Sequence, residues 1–185
     1  MFVSIIYKII YLWEGMIWTI KRKYILRQMG AFGKGSSIGR NWTISTPSKV
    51  FIGEDTSIGD HCRLQCVNSE IHIGNHVMLA AEVAIHGGNH RFDIVGRYIN
   101  SIGNDEHRPS DDGDVIIEDD CWIGGRATIM KGVTVGRGSV IGGGSIITCN
   151  IEPYSVVVGV NKIVRKRFTE EEIEMHESLL NISTK

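Results

Sequence analysis

The sequence predicts a β-solenoid, a single domain whose short parallel strands wind around one core. Three observations favour this fold class. A small aliphatic residue returns at every sixth position through much of the chain, glycine is frequent (22 residues) while proline is rare (3 residues), and one long polar segment interrupts the repeat. A length of 185 residues suits one domain with a sizeable core better than two independent domains.

The six-residue repeat is clearest in the second half of the chain. A helical period of 3.6 residues would rotate every sixth residue by about 240°, so no helix explains the spacing. A chain that runs straight and then turns does explain it, with one inward side chain on each of three sides per coil. The repeat comprises Ile117, Ile123, Ile129, Val135, Ile141 and Ile147, and shorter runs precede it at Ile38, Ile44 and Val50, at Ile52, Ile58 and Leu64, and at Ile73, Leu79 and Ile85.

The repeat stops between Ile85 and Ile117. Residues 86–114 are polar, charged and glycine-containing, and they are predicted to form an excursion loop. Loops of more than about 12 to 15 residues without regular structure are uncommon unless they are functional or disordered. The chemistry of the protein is therefore expected in this loop.

Both ends of the chain are predicted to be helical, as segments 1–29 and 169–185 on either side of a solenoid domain at 30–168. Residues 1–20 are largely apolar, but Lys8 and Glu14 interrupt them and no cleavage site follows, which argues against a signal peptide or a membrane span. A basic cluster follows at residues 21–27. This segment is expected to cover the open end of the core, and peripheral contact with a membrane surface is the alternative.

The C-terminal helix is predicted from its start signal. Thr169 is a favourable N-cap and Glu172 follows three residues later, which is a capping-box pattern. Ile173, Leu179 and Leu180 are expected to form an apolar stripe along this helix.

Charge and cysteine content restrict the partners and the compartment. Twenty basic and 21 acidic residues give a net charge of −1, so no strong field draws the chain to nucleic acid. The four cysteines form no CxxC pair, which favours a reducing cytoplasm.

Three phrases, Asp120–Gly125 (DCWIGG), Met130–Gly136 (MKGVTVG) and Val140–Ser145 (VIGGGS), resemble the hexapeptide-repeat acyltransferases. With Pro153–Gly159 (PYSVVVG) and the basic segment after it, the resemblance extends from about Gly30 to Phe168. It implies a left-handed parallel β-helix that assembles as a homotrimer and binds acetyl-CoA between subunits. The handedness comes from the resemblance alone, since right-handed crossovers are the general rule.

The segment Gly87–Asp93 (GGNHRFD) is similar to the one that carries the catalytic histidine in the sugar and xenobiotic (streptogramin) acetyltransferases of this family. The resemblance implies that His90 is the general base, and an imidazole with a pKa near 6.5 suits that task. It also implies that the backbone N–H of Gly125 stabilises the oxyanion. Without the resemblance, a polar loop residue would be the better interpretation of His90.

The remaining site residues are assigned by the same resemblance. His86 and Asn89 are expected at the acceptor site, and Asp93 either orients an imidazole or is a solvated carboxylate. Trp122 either lines the pocket at the subunit groove or covers the edge of a coil. Gly143, Thr148, Lys162 and Arg165 are expected to join Gly125 in binding the coenzyme. The family phrase G-[NV]-P-A-K is replaced by Gly159-Val160-Asn161-Lys162, so the contacts with adenine are expected to differ.

The sequence therefore predicts a cytoplasmic, acetyl-CoA-dependent O-acetyltransferase acting on a sugar of capsular, exopolysaccharide or lipopolysaccharide biosynthesis, with no metal. A streptogramin-type acceptor is the first alternative. A zinc-dependent solenoid resembling carbonic anhydrase is a second, although the pairs His72/His76 and His86/His90 share no helical face on coils or loops. A solenoid used only for assembly is the third.

Overall fold

The computed structural model describes residues 2–180, so the predictions for Met1 and residues 181–185 lie outside the described residues. A long N-terminal helix, α1 (Phe2–Leu26), leads into a three-sided solenoid, which is followed by a short helix, α2 (Glu170–Leu179). The chain passes through three sheets in turn, and each pass through all three completes one coil.

The strands are two to five residues long. The first sheet contains β1 (Ala31–Phe32), β4 (Val50–Ile52), β7 (Ile71–Ile73), β10 (Val115–Ile117) and β13 (Thr134–Val135). The second contains β2 (Ser37–Ile38), β5 (Ser57–Ile58), β8 (Met78–Leu79), β11 (Trp122–Ile123), β14 (Val140–Ile141), β16 (Ser155–Val158) and β17 (Lys162–Lys166). The third contains β3 (Thr43–Ile44), β6 (Arg63–Gln65), β9 (Ala84–His86), β12 (Thr128–Ile129) and β15 (Ile146–Ile147).

The register of the strands stacks the residues of the repeat on one another. All strand pairs are parallel except β16 with β17, and Ile117 pairs with Val135 while Ile129 pairs with Ile147. The six repeat residues from Ile117 to Ile147 are at most 1% exposed. The predicted inward positions are therefore confirmed, and they form the core.

The corners between strands require residues in the left-handed (positive φ) conformation, and these residues also recur every six positions. Five successive corner residues have φ between 56° and 73° at intervals of six residues: Asp120, Arg126, Gly132, Gly138 and Gly144. Positive φ places the Cβ of an L-residue close to the following carbonyl oxygen, which glycine avoids. The six-residue period is therefore a period of the backbone as well as of the side chains.

Helix α1 packs on the first coil through its C-terminal half. The ring of Trp18 meets the buried ring of Trp42 edge to face, with 5.3 Å between centroids, and Ile25 and Leu26 also pack against the core. Of the helices within residues 2–180, none combines the length and the apolar character that a transmembrane span requires.

Helix α2 begins as predicted but packs differently. Thr169 Oγ1 accepts a hydrogen bond from the N–H of Glu172, and Glu172 Oε2 accepts one from the N–H of Thr169, which confirms the capping box. Of the predicted apolar stripe, Ile173 is half-buried, whereas Leu179 and Leu180 are exposed. An ion pair of 2.6 Å between Arg167 and Asp120 and the packing of the Phe168 ring on His176, with 5.1 Å between ring centroids, hold the C-terminal segment.

We expect Gly132→Ala to lower the free energy of unfolding by about 1–2 kcal/mol, because its φ of 73° is unfavourable for alanine. No atom lies within 4 Å of a Cβ built at this position, so the loss would come from the backbone alone. Gly132→Asn is the matched control and should lose less, since asparagine adopts this conformation more readily. Urea unfolding at equal protein concentration measures both variants, and equal losses would contradict the explanation.

Candidate active site

The excursion loop leaves the solenoid after β9, at the corner between the third and first sheets. Its two ends are joined by an antiparallel bridge between Gly88 and Asp112. The N–H of Gly113 donates to the carbonyl of Gly87 at 2.9 Å, and the N–H of Asn89 donates to the carbonyl of Asp111 at 2.9 Å. The two ends of the loop are therefore held together at one corner of the solenoid, where the loop interrupts the six-residue repeat.

Charged pairs hold the loop in shape above this bridge. Both carboxylate oxygens of Asp93 are paired with guanidinium groups, at 3.1 Å from Arg91 and 2.8 Å from Arg108. A hydrogen bond from Arg91 holds the pKa of Asp93 below its usual value. Asp93 thus contacts arginines, where the sequence left a choice between orienting an imidazole and lying free in solvent.

A cavity of about 420 Å³ lies between the base of the loop and the third sheet. It brings together three predicted site residues, His86, Asn89 and His90. Most of its other lining side chains are polar and can donate or accept hydrogen bonds. They include Ser45, Gln65, Asn68, Asn104, His107 and Asp112.

His90 also borders a second cavity of about 760 Å³ on its other side. This cavity is lined partly by large apolar side chains, namely Tyr98, Ile99 and Ile102, together with Arg97. His90, which is exposed, therefore borders one polar and one more apolar cavity.

The surroundings of His86 favour its neutral form. It ends strand β9 and is half-buried. Burial lowers the pKa of His86, and the positive charge of Arg63 on the neighbouring strand lowers it further. A neutral imidazole has one nitrogen that donates and one that accepts, so His86 can hold a hydroxyl group without carrying charge.

Sequence reasoning missed a pair of residues in the polar cavity. His107 Nδ1 lies 3.0 Å from Asp112 Oδ2, and the amide of Asn68 donates to the same oxygen at 3.1 Å. Both members of the pair are largely buried. A carboxylate at Nδ1 favours a proton there and leaves Nε2 as an acceptor. No repeat or phrase in the sequence marks His107, because the loop alone brings it to Asp112.

Gly125 and Gly143 lie at a different corner, the one between the second and third sheets. Here the N–H of Gly144 donates to the carbonyl of Gly125 at 2.9 Å, and a Cβ on Gly143 would lie 3.2 Å from that carbonyl oxygen. The width of the third sheet separates this corner from the loop. Trp122 is half-exposed on the outer face of the second sheet beside Met78.

A shallow groove of about 470 Å³ covers the outer face of the third sheet next to the Gly125 corner. Arg63, Ala84 and Thr128 form its floor, and an ion pair of 2.9 Å between Arg126 and Glu82 borders it. Within one chain, Gly125 and Trp122 therefore do not line the cavity that contains His90.

The predicted nucleotide-binding residues lie near the C-terminal end of the solenoid. The amide of Asn161 donates to Thr148 Oγ1 at 2.7 Å, where the family phrase has its proline. Lys162 and Arg165 are exposed on β17, and the Arg165 guanidinium donates to the carbonyl of Lys166 at 3.1 Å. Within residues 2–180, no three His, Cys, Asp or Glu side chains form a group that could hold a metal ion.

Comparison with known proteins identifies relatives of this chain. The family model for the hexapeptide repeat of succinyl-transferase matches residues 114–149. A probable macrolide acetyltransferase of Lysinibacillus sphaericus is 32% identical over 133 residues, which cover 67% of this chain and 67% of that protein. A chloramphenicol acetyltransferase of Escherichia coli is 48% identical over 64 residues, 34% of this chain. That match spans only 30% of the relative's length.

Solved structures share the solenoid. A maltose O-acetyltransferase from Clostridium difficile 630 is 29% identical, with a TM-score of 0.62 over 78% of this chain and 73% of the other. A hexapeptide-repeat acetyltransferase from Vibrio cholerae, solved with acetyl-CoA, has a TM-score of 0.66 at 24% identity over 80% of this chain and 76% of the other. These matches confirm the predicted left-handed parallel β-helix. The chain belongs to the hexapeptide-repeat acetyltransferases.

Proposed function

We propose that this protein is an acetyl-CoA-dependent O-acetyltransferase that modifies a hydroxyl of a sugar. The polar cavity at the base of the loop carries the proposal, because it places His90 among side chains suited to binding hydroxyl groups. Membership of an acetyltransferase family supports the reaction type. The likeness to a maltose O-acetyltransferase supports a saccharide acceptor, and a role in surface polysaccharide biosynthesis extends that proposal.

The proposed mechanism assigns one proton transfer to His90. Its imidazole accepts the proton of the acceptor hydroxyl as that oxygen attacks the thioester carbonyl carbon. The resulting oxyanion accepts a hydrogen bond from the backbone N–H of Gly125. When the carbon–sulfur bond breaks, the thiolate of coenzyme A takes the proton back from His90, and the acetyl ester and free coenzyme A leave.

This mechanism requires more than one copy of the chain. His90 and Gly125 lie at opposite corners of the third sheet, so a second copy must supply one of them to a complete site. A homotrimer meets that requirement, with acetyl-CoA in the groove between two subunits. The closely stacked Gly143 would let pantetheine pass the corner, and Thr148, Lys162 and Arg165 would lie toward the phosphates. Trp122 would line the same groove.

A xenobiotic acceptor is the second candidate, and the cavity on the other side of His90 favours it. Tyr98, Ile99 and Ile102 offer apolar surface there, which suits an antibiotic scaffold better than a saccharide. Two relatives bear the names of chloramphenicol and macrolide acetyltransferases. In either case we place the enzyme in the cytoplasm, where contact of α1 with the inner membrane would bring it near lipid-linked saccharides.

We expect His90→Asn to lower kcat for acetyl transfer by at least about 10² while acetyl-CoA binding and the oligomeric state stay unchanged, because a positioned base contributes about 10² to 10⁴ in rate. Single-turnover kinetics, calorimetry with acetyl-CoA and analytical ultracentrifugation measure the three quantities.

His107→Asn is the matched comparison, since it removes another imidazole from the same cavity, one that is oriented by Asp112. We expect it to raise KM for the acceptor more than it lowers kcat, because its Nε2 faces the cavity as a hydrogen-bond acceptor. Near-normal turnover of His90→Asn together with a large loss of kcat in His107→Asn would transfer the role of base to His107.

We expect Arg63→Gln to raise the pKa of His86, because a positive charge near the imidazole disfavours its protonated form. Removing Arg63 should therefore extend protonation of His86 to higher pH. NMR titration of the His86 ring measures the shift. Arg126→Gln is the control, since Arg126 is paired with Glu82 and should leave His86 unchanged. An unchanged or lower pKa in Arg63→Gln would contradict this account.

The acceptor is tested by following acetyl-CoA consumption with maltose, other saccharides, streptogramins and chloramphenicol. We expect ester formation with a saccharide, and turnover restricted to antibiotics would replace the first candidate with the second. Metal analysis of the purified protein tests the zinc-dependent alternative, for which stoichiometric zinc is required. Absence of acetyl-CoA binding in calorimetry would leave only an assembly role.

A further inference from the structure

Helix α1 has apolar side chains on two faces, and one of these faces packs on the solenoid in the C-terminal half of the helix. Trp18 and Ile25 lie on the packed face, against the first coil. Successive residues of a helix are rotated by about 100°. On this projection three apolar residues lie on the side of α1 opposite Trp18: Ile9 at about 180° from it, Ile20 at about 160° and Trp13 at about 140°. They are 50%, 58% and 62% exposed. We call this the outer face of α1, and Ile6, Met16, Ile17 and Tyr24 are its other exposed members.

The outer face is too large and too apolar to be ordinary surface. Single exposed hydrophobic residues are normal, whereas a contiguous patch of this kind marks an interaction site. Its seven members recur at helical spacing over about five turns between residues 6 and 24. The face is continuous along the helix, so its partner must also be extended.

The charges around the outer face are basic. On the same helical projection Lys23 lies about 20° from Met16, at one edge of the outer face, whereas Lys21 lies about 60° from Trp18 with its ammonium group 5.5 Å from the centroid of the Trp42 ring. Residues 1–29 contain five basic residues and one acidic residue, Glu14, which lies about 40° from Trp18 on the packed side. The remaining 156 residues contain fifteen basic and twenty acidic ones, so the positive charge is concentrated at this helix.

We propose that the outer face of α1 docks on an anionic phospholipid bilayer, with the helix lying in the plane of the interface. An amphipathic helix binds there by burying its apolar face while basic side chains meet the lipid headgroups. Trp13 and Tyr24 are residue types favoured at the boundary between hydrocarbon and water. Lys23, at the edge of the outer face, can extend along the helix toward the phosphates.

The packed face explains how docking would orient the enzyme. Because Trp18 is held against Trp42, the solenoid is attached directly to the helix rather than through a flexible linker. Binding of the outer face would therefore bring the first coil to the membrane surface. The inference deepens the proposed contact of α1 with a membrane, and its test is separate from acetyl transfer because it requires neither acetyl-CoA nor an acceptor.

The test is flotation of the full-length protein with vesicles of phosphatidylcholine and phosphatidylglycerol (3:1), compared with vesicles of phosphatidylcholine alone. We expect at least about tenfold more bound protein with the anionic vesicles. Trp13→Glu/Ile20→Glu should lower that binding at least about tenfold, because it places charge on the apolar face. Leu179→Glu is the matched control, an exposed apolar residue on α2 that should not matter.

A second variant guards against the possibility that Trp13→Glu/Ile20→Glu loses binding because helix α1 no longer folds. Lys8→Glu/Lys23→Glu changes exposed charges only and should weaken binding to the anionic vesicles. The proposal is overturned if wild-type protein fails to float with anionic vesicles, or if both α1 variants bind as wild type does. Failure to float, together with a lower mass of Trp13→Glu/Ile20→Glu in analytical ultracentrifugation, would show that the outer face joins copies of this chain.

Discussion

Stacking of inward aliphatic side chains in register is the constraint on which the rest of this structure depends. Each strand is two to five residues long, so no strand could be stable alone, and burial of the stacked residues must hold the coils together. A left-handed backbone at every sixth residue allows the chain to turn without breaking that stack. The sheets, the corners and the flat outer surfaces all follow from this one periodicity.

A rigid frame of this kind permits a long loop at one corner. The bridge between Gly88 and Asp112 closes the loop where it leaves the frame, so Ile85 and Ile117 keep their places in the core. Arginine–carboxylate pairs then shape the loop over the third sheet. His107 is held by its contact with Asp112 in this local polar network and not by the hydrophobic core. The scaffold and the candidate site are therefore stabilised by different interactions.

The proposed site is incomplete in one chain for a geometric reason. A three-sided solenoid places the loop and the Gly125 corner at opposite edges of the third sheet, and no bending of a stacked core can bring them together. Assembly of two or more copies would join them. Helix α1 adds a further surface, whose outer face belongs neither to the core nor to the proposed groove.

The sequence by itself determined the solenoid, its inward residues, the position of the excursion loop and the capping box of α2, because each depends on local spacing. The resemblance added handedness and His90. Only the tertiary structure decided that Asp93 pairs with two arginines, that His107 meets Asp112, that Leu179 and Leu180 stay exposed, and that α1 leaves one apolar face uncovered. These contacts join residues across an irregular loop or between separate elements. A six-residue pattern gives no information about which of these residues meet, so the contacts can be seen only in the folded structure.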